Sequence, residues 1–440
     1  MDTPICDFVR AYAGSGTARL HMPGHKGAGP LGMEQLDITE ISGADSLYEA
    51  GGIIQRSENN ASSLFGCPTF YSAEGSSQCI RAMLYLVALH AKGRPVIAAA
   101  RNVHKTFLTA AALLDLEVRW IYPPEDSSYL SCPLEESSLE AFLRREQPTA
   151  LYITSPDYLG NISDIQSISR ICHKNNILLL VDNAHGAYLR FLHPSRHPMD
   201  LGADLCCDSA HKTLPVLTGG AYLHISEAAP VVFRQRARDA LALFGSTSPS
   251  YLILQSLDSA NAYLSDGYTA RLAAFSQQIQ QLKQALSAKG WEILPGEPLK
   301  ITVCAKASGY TGTELSELLR QNAIECEFSD PDYLVLMLTP ENGKDIPQLT
   351  QAFDAIPQKP PIEETPPPFH RCEQVLSLRQ ALFSNGPLLP VEECIGKVLI
   401  SPCVGCPPAV PILICGERID EEAAARFRYY GIKECAVENK

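Results

Sequence analysis

The sequence predicts an α/β fold with a mostly parallel sheet, and three features point to it. Short segments that are apolar along their whole length recur between Val96 and Cys207. Helical patterns separate them, and the loops that follow them carry clusters of polar residues. Strands buried on both faces read as continuous apolar runs, and helices between them are the crossovers that parallel pairing requires. Ligands of such sheets gather beyond the carboxyl ends of the strands, so those loops are the place to look for chemistry.

Taken in order, residues 1–66 read as irregular, with short apolar runs and many glycines. Within them His21-Met22-Pro23-Gly24-His25-Lys26-Gly27 is a dense polar turn, equally readable as a solvated loop. The alternation starts at Thr69. Ile80, Leu84, Val87 and Ala91 share one side of a helix predicted over residues 77–91. Strands follow at 96–100, 118–122, 150–154, 177–181 and 203–207. Helices lie between them at 105–114, 134–146 and 164–175, the last capped by Asp164. Past about residue 265 the pattern changes to a long amphipathic helix, 271–289, then strands at 300–305 and 333–338 around a helix at 312–322. This predicts a smaller α+β domain. Six prolines and two acids between 357 and 368 read as a stiff extended linker. A helix near 372–383 and a proline-rich run at 401–414 mark a C-terminal segment. The expected organisation is an arm and large domain over 1–265, a small domain over 266–356, a linker over 357–369 and a C-terminal domain over 370–440.

A chain of 440 residues, 45% hydrophobic and 19% charged, is long enough for two or three domains and a large core. Its 49 acidic and 36 basic residues give a net charge of −13, which argues against nucleic-acid or anionic-membrane partners and suits a cationic ligand. No basic region followed by an apolar run opens the chain, and no stretch approaches the ~18 apolar residues of a membrane span. A soluble, cytoplasmic protein is expected. The fifteen cysteines read mostly as small buried hydrophobes. Cys394, Cys403, Cys406 and Cys415 include one C-x-x-C, but the eight residues on either side of it are not a usual ligand spacing, so no metal is expected.

The chemistry centres on Asp208-Ser209-Ala210-His211-Lys212-Thr213, just past the 203–207 strand. A lysine among small hydroxylated residues suits an amine that forms a Schiff base, once desolvation or a nearby cation frees its lone pair. The same six residues also suit a polar surface loop. Glu74-Gly75-Ser76-Ser77 directly precedes a helix, where backbone N–H groups and two hydroxyls can cradle a phosphate or simply cap the helix. Arg101-Asn102-Val103-His104-Lys105 and Thr154-Ser155-Pro156-Asp157 follow other strands. Asp182-Asn183-Ala184-His185-Gly186 follows the most hydrophobic strand, so its acid is either a helix cap or a nearly buried charge that needs partners. Together the loops supply the parts for pyridoxal phosphate chemistry: a phosphate cradle, an aromatic ring to stack, an acid for the pyridine nitrogen and an amine for the aldehyde.

These motifs, with His-x-Pro-Gly-His-Lys-Gly at 21–27, Asp37-Ile38-Thr39-Glu40 and Ser246-Thr247-Ser248-Pro249, resemble the Orn/Lys/Arg decarboxylase family in its shorter bacterial form. The resemblance covers most of the chain. It implies a fold type I, aspartate-aminotransferase-like large domain, pyridoxal 5′-phosphate as cofactor, and decarboxylation of arginine, lysine or ornithine in polyamine biosynthesis. It further implies that Lys212 carries the cofactor, Asp182 pairs with its ring nitrogen and His104 stacks on the ring. Gly75, Ser76, Ser77, Ser209 and His211 would surround the phosphate, and His185 stands where larger members carry a tryptophan near the cofactor. Ser246, Thr247 and Ser248 resemble a segment that reaches the phosphate from a second subunit, which implies a homodimer or higher homo-oligomer with shared active sites. Two departures stand out: Cys406-Pro407-Pro408-Ala409-Val410-Pro411 replaces the family's Tyr-Pro-Pro-Gly-x-Pro, and Glu74 stands where members often have asparagine. A carboxylate aimed at a phosphate would repel it, so Glu74 is expected to face away. Aminotransferase or lyase chemistry on another amino acid, or a non-catalytic regulatory role, are the alternatives.

Overall fold

The computed structural model describes residues 1–402 and 408–439. Strands β1 (Thr69–Ser72), β2 (Val96–Ala100), β3 (Glu117–Ile121), β4 (Ala150–Thr154), β5 (Leu178–Asp182), β6 (Leu205–Asp208) and β7 (Ala221–Ile225) form one sheet in the order β1-β7-β6-β5-β4-β2-β3. β2 pairs with β3, and β5 with β6, in parallel; β7 runs antiparallel to both β6 and β1. The α/β class and its mostly parallel sheet are as the sequence predicts. The antiparallel flank has a simple cause. The link from β6 to β7 holds only one helical turn, α7 below, and a crossover back to a parallel strand needs a longer one.

The chain forms two units, one of Met1–Pro95, Thr149–Tyr152 and Ile165–Ala270, the other of Val96–Pro148, Ile153–Asp164 and Arg271–Lys440. The first unit corrects the reading of residues 1–66 as irregular, because they contain two helices, α1 (Pro4–Gly14) and α2 (Ile53–Phe65). The apolar face of α2 is thin, and its buried positions include Ser57 and Glu58. Those two are satisfied from far along the chain, Ser57 by the Asp258 carboxylate at 2.6 Å and Glu58 by Arg238 and the Tyr71 N–H. The same Asp258 accepts the Ile5 and Cys6 N–H groups, both at 2.9 Å, and so caps the first turn of α1. Apolar periodicity cannot reveal helices stabilised by buried polar groups 200 residues away.

The remaining helices follow as α3 (Gly75–His90), α4 (Lys105–Leu113), α5 (Glu136–Glu146), α6 (Ile165–Lys174), α7 (Ala210–Thr213), α8 (Val231–Ala242), α9 (Tyr251–Ser265) and α10 (Tyr268–Ala288). In the second unit β8 (Lys300–Cys304), β9 (Phe328–Ser329) and β10 (Tyr333–Met337) make an antiparallel sheet in the order β8-β10-β9. It carries α11 (Gly312–Gln321), opened by a Thr311/Glu314 capping box, and α12 (Ile346–Ala355). Near the C-terminus come α13 (Leu378–Phe383), β11 (Leu388–Pro390), α14 (Glu421–Tyr429) and β12 (Glu434–Ala436), with β11 and β12 paired. Leu399, Ile419, Phe427, Cys435 and Val437 belong to a buried apolar cluster there. The helix expected from residue 372 begins only at Leu378, because Ser377 caps it and Gln374 is bridged to Glu417. Cys394 and Cys415 are buried, whereas Cys403, Cys406 and Pro407 lie outside the described residues. Among the described residues no helix is long and apolar enough to cross a membrane.

Candidate active site

The first unit brings most of the expected site residues to the carboxyl ends of β5 and β6. In their parallel register Asp182 lies opposite Cys207. Asp182 is the last residue of β5 and only 2% exposed. Its Oδ2 accepts the Tyr152 hydroxyl at 3.1 Å, and its Oδ1 accepts the Ala184 N–H at 3.2 Å and the Cys207 thiol at 3.6 Å. Burial pushes its carboxyl above the ordinary range, opposed by the nearby Lys212 charge and by those three donors. Asp182 is therefore a buried acid rather than a solvated helix cap.

Lys212 sits in the single turn of α7, its N–H donating to the Ser209 carbonyl at 3.0 Å. The Lys212 Nζ lies 2.9 Å from His185 Nε2, and His185 is buried. As an ammonium Lys212 can only donate, and in that state His185 Nε2 accepts the bond. The lysine is half-buried and held beside a ring rather than waving in solvent.

The start of α3 collects the expected phosphate residues. Gly75 has φ +74°, in the left-handed region that favours glycine, and its N–H donates to the Gly219 carbonyl at 2.7 Å. A Cβ built on Gly75 would lie 4.0 Å from His211 Cε1. The His211 Nδ1 donates to the Gly220 carbonyl at 2.9 Å, which orients the ring. Ser209 Oγ donates to Ser76 Oγ at 2.8 Å, and Ser77 follows in the first turn of the helix. Two hydroxyls at the N-terminus of a sixteen-residue helix, with the His211 ring beside them, fit a phosphate group. Glu74 is engaged elsewhere, its carboxylate accepting the Ser246 N–H.

Ser246, Thr247 and Ser248 are exposed, and Gly245 ahead of them has no room for a side chain. A Cβ there would meet Tyr48 Oη at 2.0 Å and Gln78 Nε2 at 2.2 Å, two groups already joined by a 2.8 Å hydrogen bond. In the second unit His104 caps α4, and its Nδ1 accepts the Thr106 N–H at 3.2 Å, which leaves Nε2 as the protonated nitrogen of a neutral ring. Arg101, from the same loop, is buried against Glu417 at 3.3 Å. Ala409 stands where the resemblance expects glycine and keeps a glycine-like φ of +59°, with its carbonyl accepting the Lys105 N–H at 2.8 Å.

Several neighbours of the site were not expected. Asp208, last in β6, is wholly buried between His197 Nε2 at 3.0 Å and His224 Nε2 at 3.1 Å. Its other oxygen accepts the Asn183 amide at 2.7 Å, which ties the end of β6 to the residue after Asp182. Burial alone would raise the Asp208 carboxyl, but the two imidazoles hold it well below the usual carboxylate range. For His224 burial opposes protonation and Asp208 overcomes it, so its titration moves up. The Thr69 hydroxyl donates to the Cys67 carbonyl and lies 2.9 Å from His224 Nδ1. The Asp208 carboxylate at 3.1 Å thus favours the charged form of His224.

Residues 3–306 match the Orn/Lys/Arg decarboxylase major domain. The chain belongs to the Orn/Lys/Arg decarboxylase family. This decarboxylase is 28% identical over 459 residues to an arginine decarboxylase of Bacillus subtilis, covering 96% of this chain and 92% of that one. An arginine decarboxylase of Halalkalibacterium halodurans is 29% identical over 466 residues, covering 97% and 93%. In structure it is similar to the lysine decarboxylase of Francisella novicida, with a TM-score of 0.80 at 15% identity over 99% of this chain and 81% of that one. The family decarboxylates basic amino acids, and the fold is the aspartate-aminotransferase-like one.

Proposed function

We propose that this chain uses pyridoxal 5′-phosphate to decarboxylate a basic L-amino acid, releasing carbon dioxide and the corresponding amine. The observation that carries this reading is the pairing, at adjacent strand ends, of the buried Asp182 carboxylate with a Lys212 amine seated on the His185 ring. When bound, the cofactor supplies a cationic ring that accepts the electron pair left on the α-carbon as carbon dioxide departs. Asp182 holds the proton at the ring nitrogen. Lys212 would hold the cofactor at its aldehyde, and His185 Nε2, at 2.9 Å, is within reach of the proton that Nζ must first lose. Gly75, Ser76, Ser77, Ser209 and His211 hold the phosphate, and we assign His104 to stack on the ring. Thr247 and Ser248 are assigned to the phosphate of a second copy's site, in a cytoplasmic homodimer or higher homo-oligomer that takes part in polyamine biosynthesis. The net charge of −13 suits a cationic substrate, and the names of the relatives make arginine the first to assay, before lysine and ornithine.

The test is to incubate the purified protein with pyridoxal phosphate and each basic amino acid in turn, and to measure carbon dioxide and amine. Borohydride reduction followed by peptide mapping is expected to find the pyridoxyl group on Lys212, and Lys212→Ala is expected to abolish turnover. A label on another lysine would refute the assignment.

A further inference from the structure

We infer that Tyr152 is a positioning residue for Asp182: its hydroxyl, seconded by the Cys207 thiol, favours the charged form of the buried carboxylate and fixes it in one orientation. The catalytic meaning of this rests on the pyridoxal reading above; the hydrogen bonds do not. Asp182 stands at the end of β5, and the groups that act on it come from every neighbouring element. Tyr152 belongs to β4, Cys206 and Cys207 to β6, Cys79 to α3 and Lys212 to α7. Lys212 is the cation among them, but its charge is not constant, since its amine must give up a proton before it can attack a carbonyl. Neutral donors do not vary in that way. Tyr152 and Cys207 are both fully buried, and burial together with the Asp182 charge holds phenol and thiol well above their usual titration ranges. Both stay protonated and remain donors. The Tyr152 hydroxyl serves Oδ2, while the Ala184 N–H and Cys207 thiol serve Oδ1, so the carboxylate cannot turn without breaking a bond.

The experiment titrates Asp182 in the apoprotein by carboxyl ¹³C NMR, with its signal assigned by its loss in Asp182→Asn. Tyr152→Phe deletes one oxygen and keeps the ring. A hydrogen bond to a charged acceptor is strong enough that its loss should raise the Asp182 midpoint by about one pH unit, about tenfold in the ionisation constant. Cys207→Ala should move it in the same direction by less, because a thiol is a weak donor, and it carries the test if Tyr152→Phe does not fold. In the holoprotein, the ring ¹⁵N signal of labelled pyridoxal phosphate should move toward unprotonated pyridine in Tyr152→Phe. An Asp182 midpoint unchanged in both variants overturns the inference and leaves the pyridoxal reading intact. A wild-type protein that binds no pyridoxal phosphate would refute that reading instead, and the apoprotein titration would still decide the role of Tyr152.

Discussion

His224→Phe should destabilise the first unit by about 3–5 kcal/mol, a large effect for a residue that touches nothing in the site. The substitution keeps an aromatic ring where His224 packs on Phe65, with ring centroids 4.6 Å apart, so most of the packing survives. What it removes is an imidazole whose charged form is favoured beside Asp208. Asp208 is then left at 0% exposure with one of its two imidazoles gone and only the His197 ring and the Asn183 amide as donors. Taking away one partner of a buried ion pair costs about 3–5 kcal/mol because the other charge stays buried. For a unit of this size the melting temperature should fall by roughly 10 °C. The pH dependence sharpens the test. The Asp208 carboxyl is held below the usual range, so its contribution is in place above an unfolded carboxyl's ~3.9 and is lost only as pH falls through the lower folded value. The His224 titration is raised, so its contribution is complete below ~6.5 and is lost as pH rises through the folded value. The stability gap between wild type and variant should therefore be widest between about pH 4 and 6.5 and narrow above that window. Thermal and urea unfolding across this range provide the measurement. A loss under about 1 kcal/mol, or a gap that does not change with pH, would refute the ion-pair argument.

Two further outcomes are expected. Ala409→Gly should stabilise the second unit by about 0.5–1 kcal/mol, read from urea midpoints, because an alanine at φ +59° bears a Cβ penalty that glycine escapes. If Thr247 and Ser248 serve a second copy's site, mixing inactive Lys212→Ala with an impaired Thr247→Ala, Ser248→Ala variant should restore activity toward half of normal per heterodimer, since one of its two sites is free of both defects. No recovery despite proven subunit exchange would assign the loop to its own chain, where the Ser246 N–H already meets Glu74.

Much of the sheet could be read from the sequence because its physics is local. Residues 178–181 are apolar throughout since both faces are covered, and the buried Asp182 ends the strand. Lys212 and Ser209 were legible for the same reason, as polar residues directly past such a strand. His185 was placed near the cofactor only by resemblance, and its bond to Lys212 Nζ required coordinates. Helices α1 and α2 escaped because Asp258, Arg238 and Tyr71 satisfy their buried polar groups, and no window on residues 1–66 contains those partners.

The groups around the acid were illegible for a different reason, one that bears on how such a site is built. A carboxylate at the end of a buried strand is surrounded by whatever the two neighbouring strands carry at the same level. β5 lies between β4 and β6 in the sheet order, and those neighbours carry Tyr152 and Cys207. Taken alone each is an ordinary apolar-strand residue, a tyrosine in Ala-Leu-Tyr-Ile-Thr and a cysteine in Leu-Cys-Cys-Asp. Only strand order and register turn them into donors to one carboxylate, and neither is encoded in any single stretch. Alternation along β6 then separates two tasks. Cys207 faces Asp182, while Cys206 and Asp208 share the opposite face with His224, which pairs with Cys206 across the sheet. One strand thus supports the proposed catalytic acid on one face and a buried ion pair on the other, and Asn183 links the two through its amide bond to Asp208. A shift of β6 by one residue would exchange these faces, leaving Asp182 without its thiol donor and the two histidines without their acid.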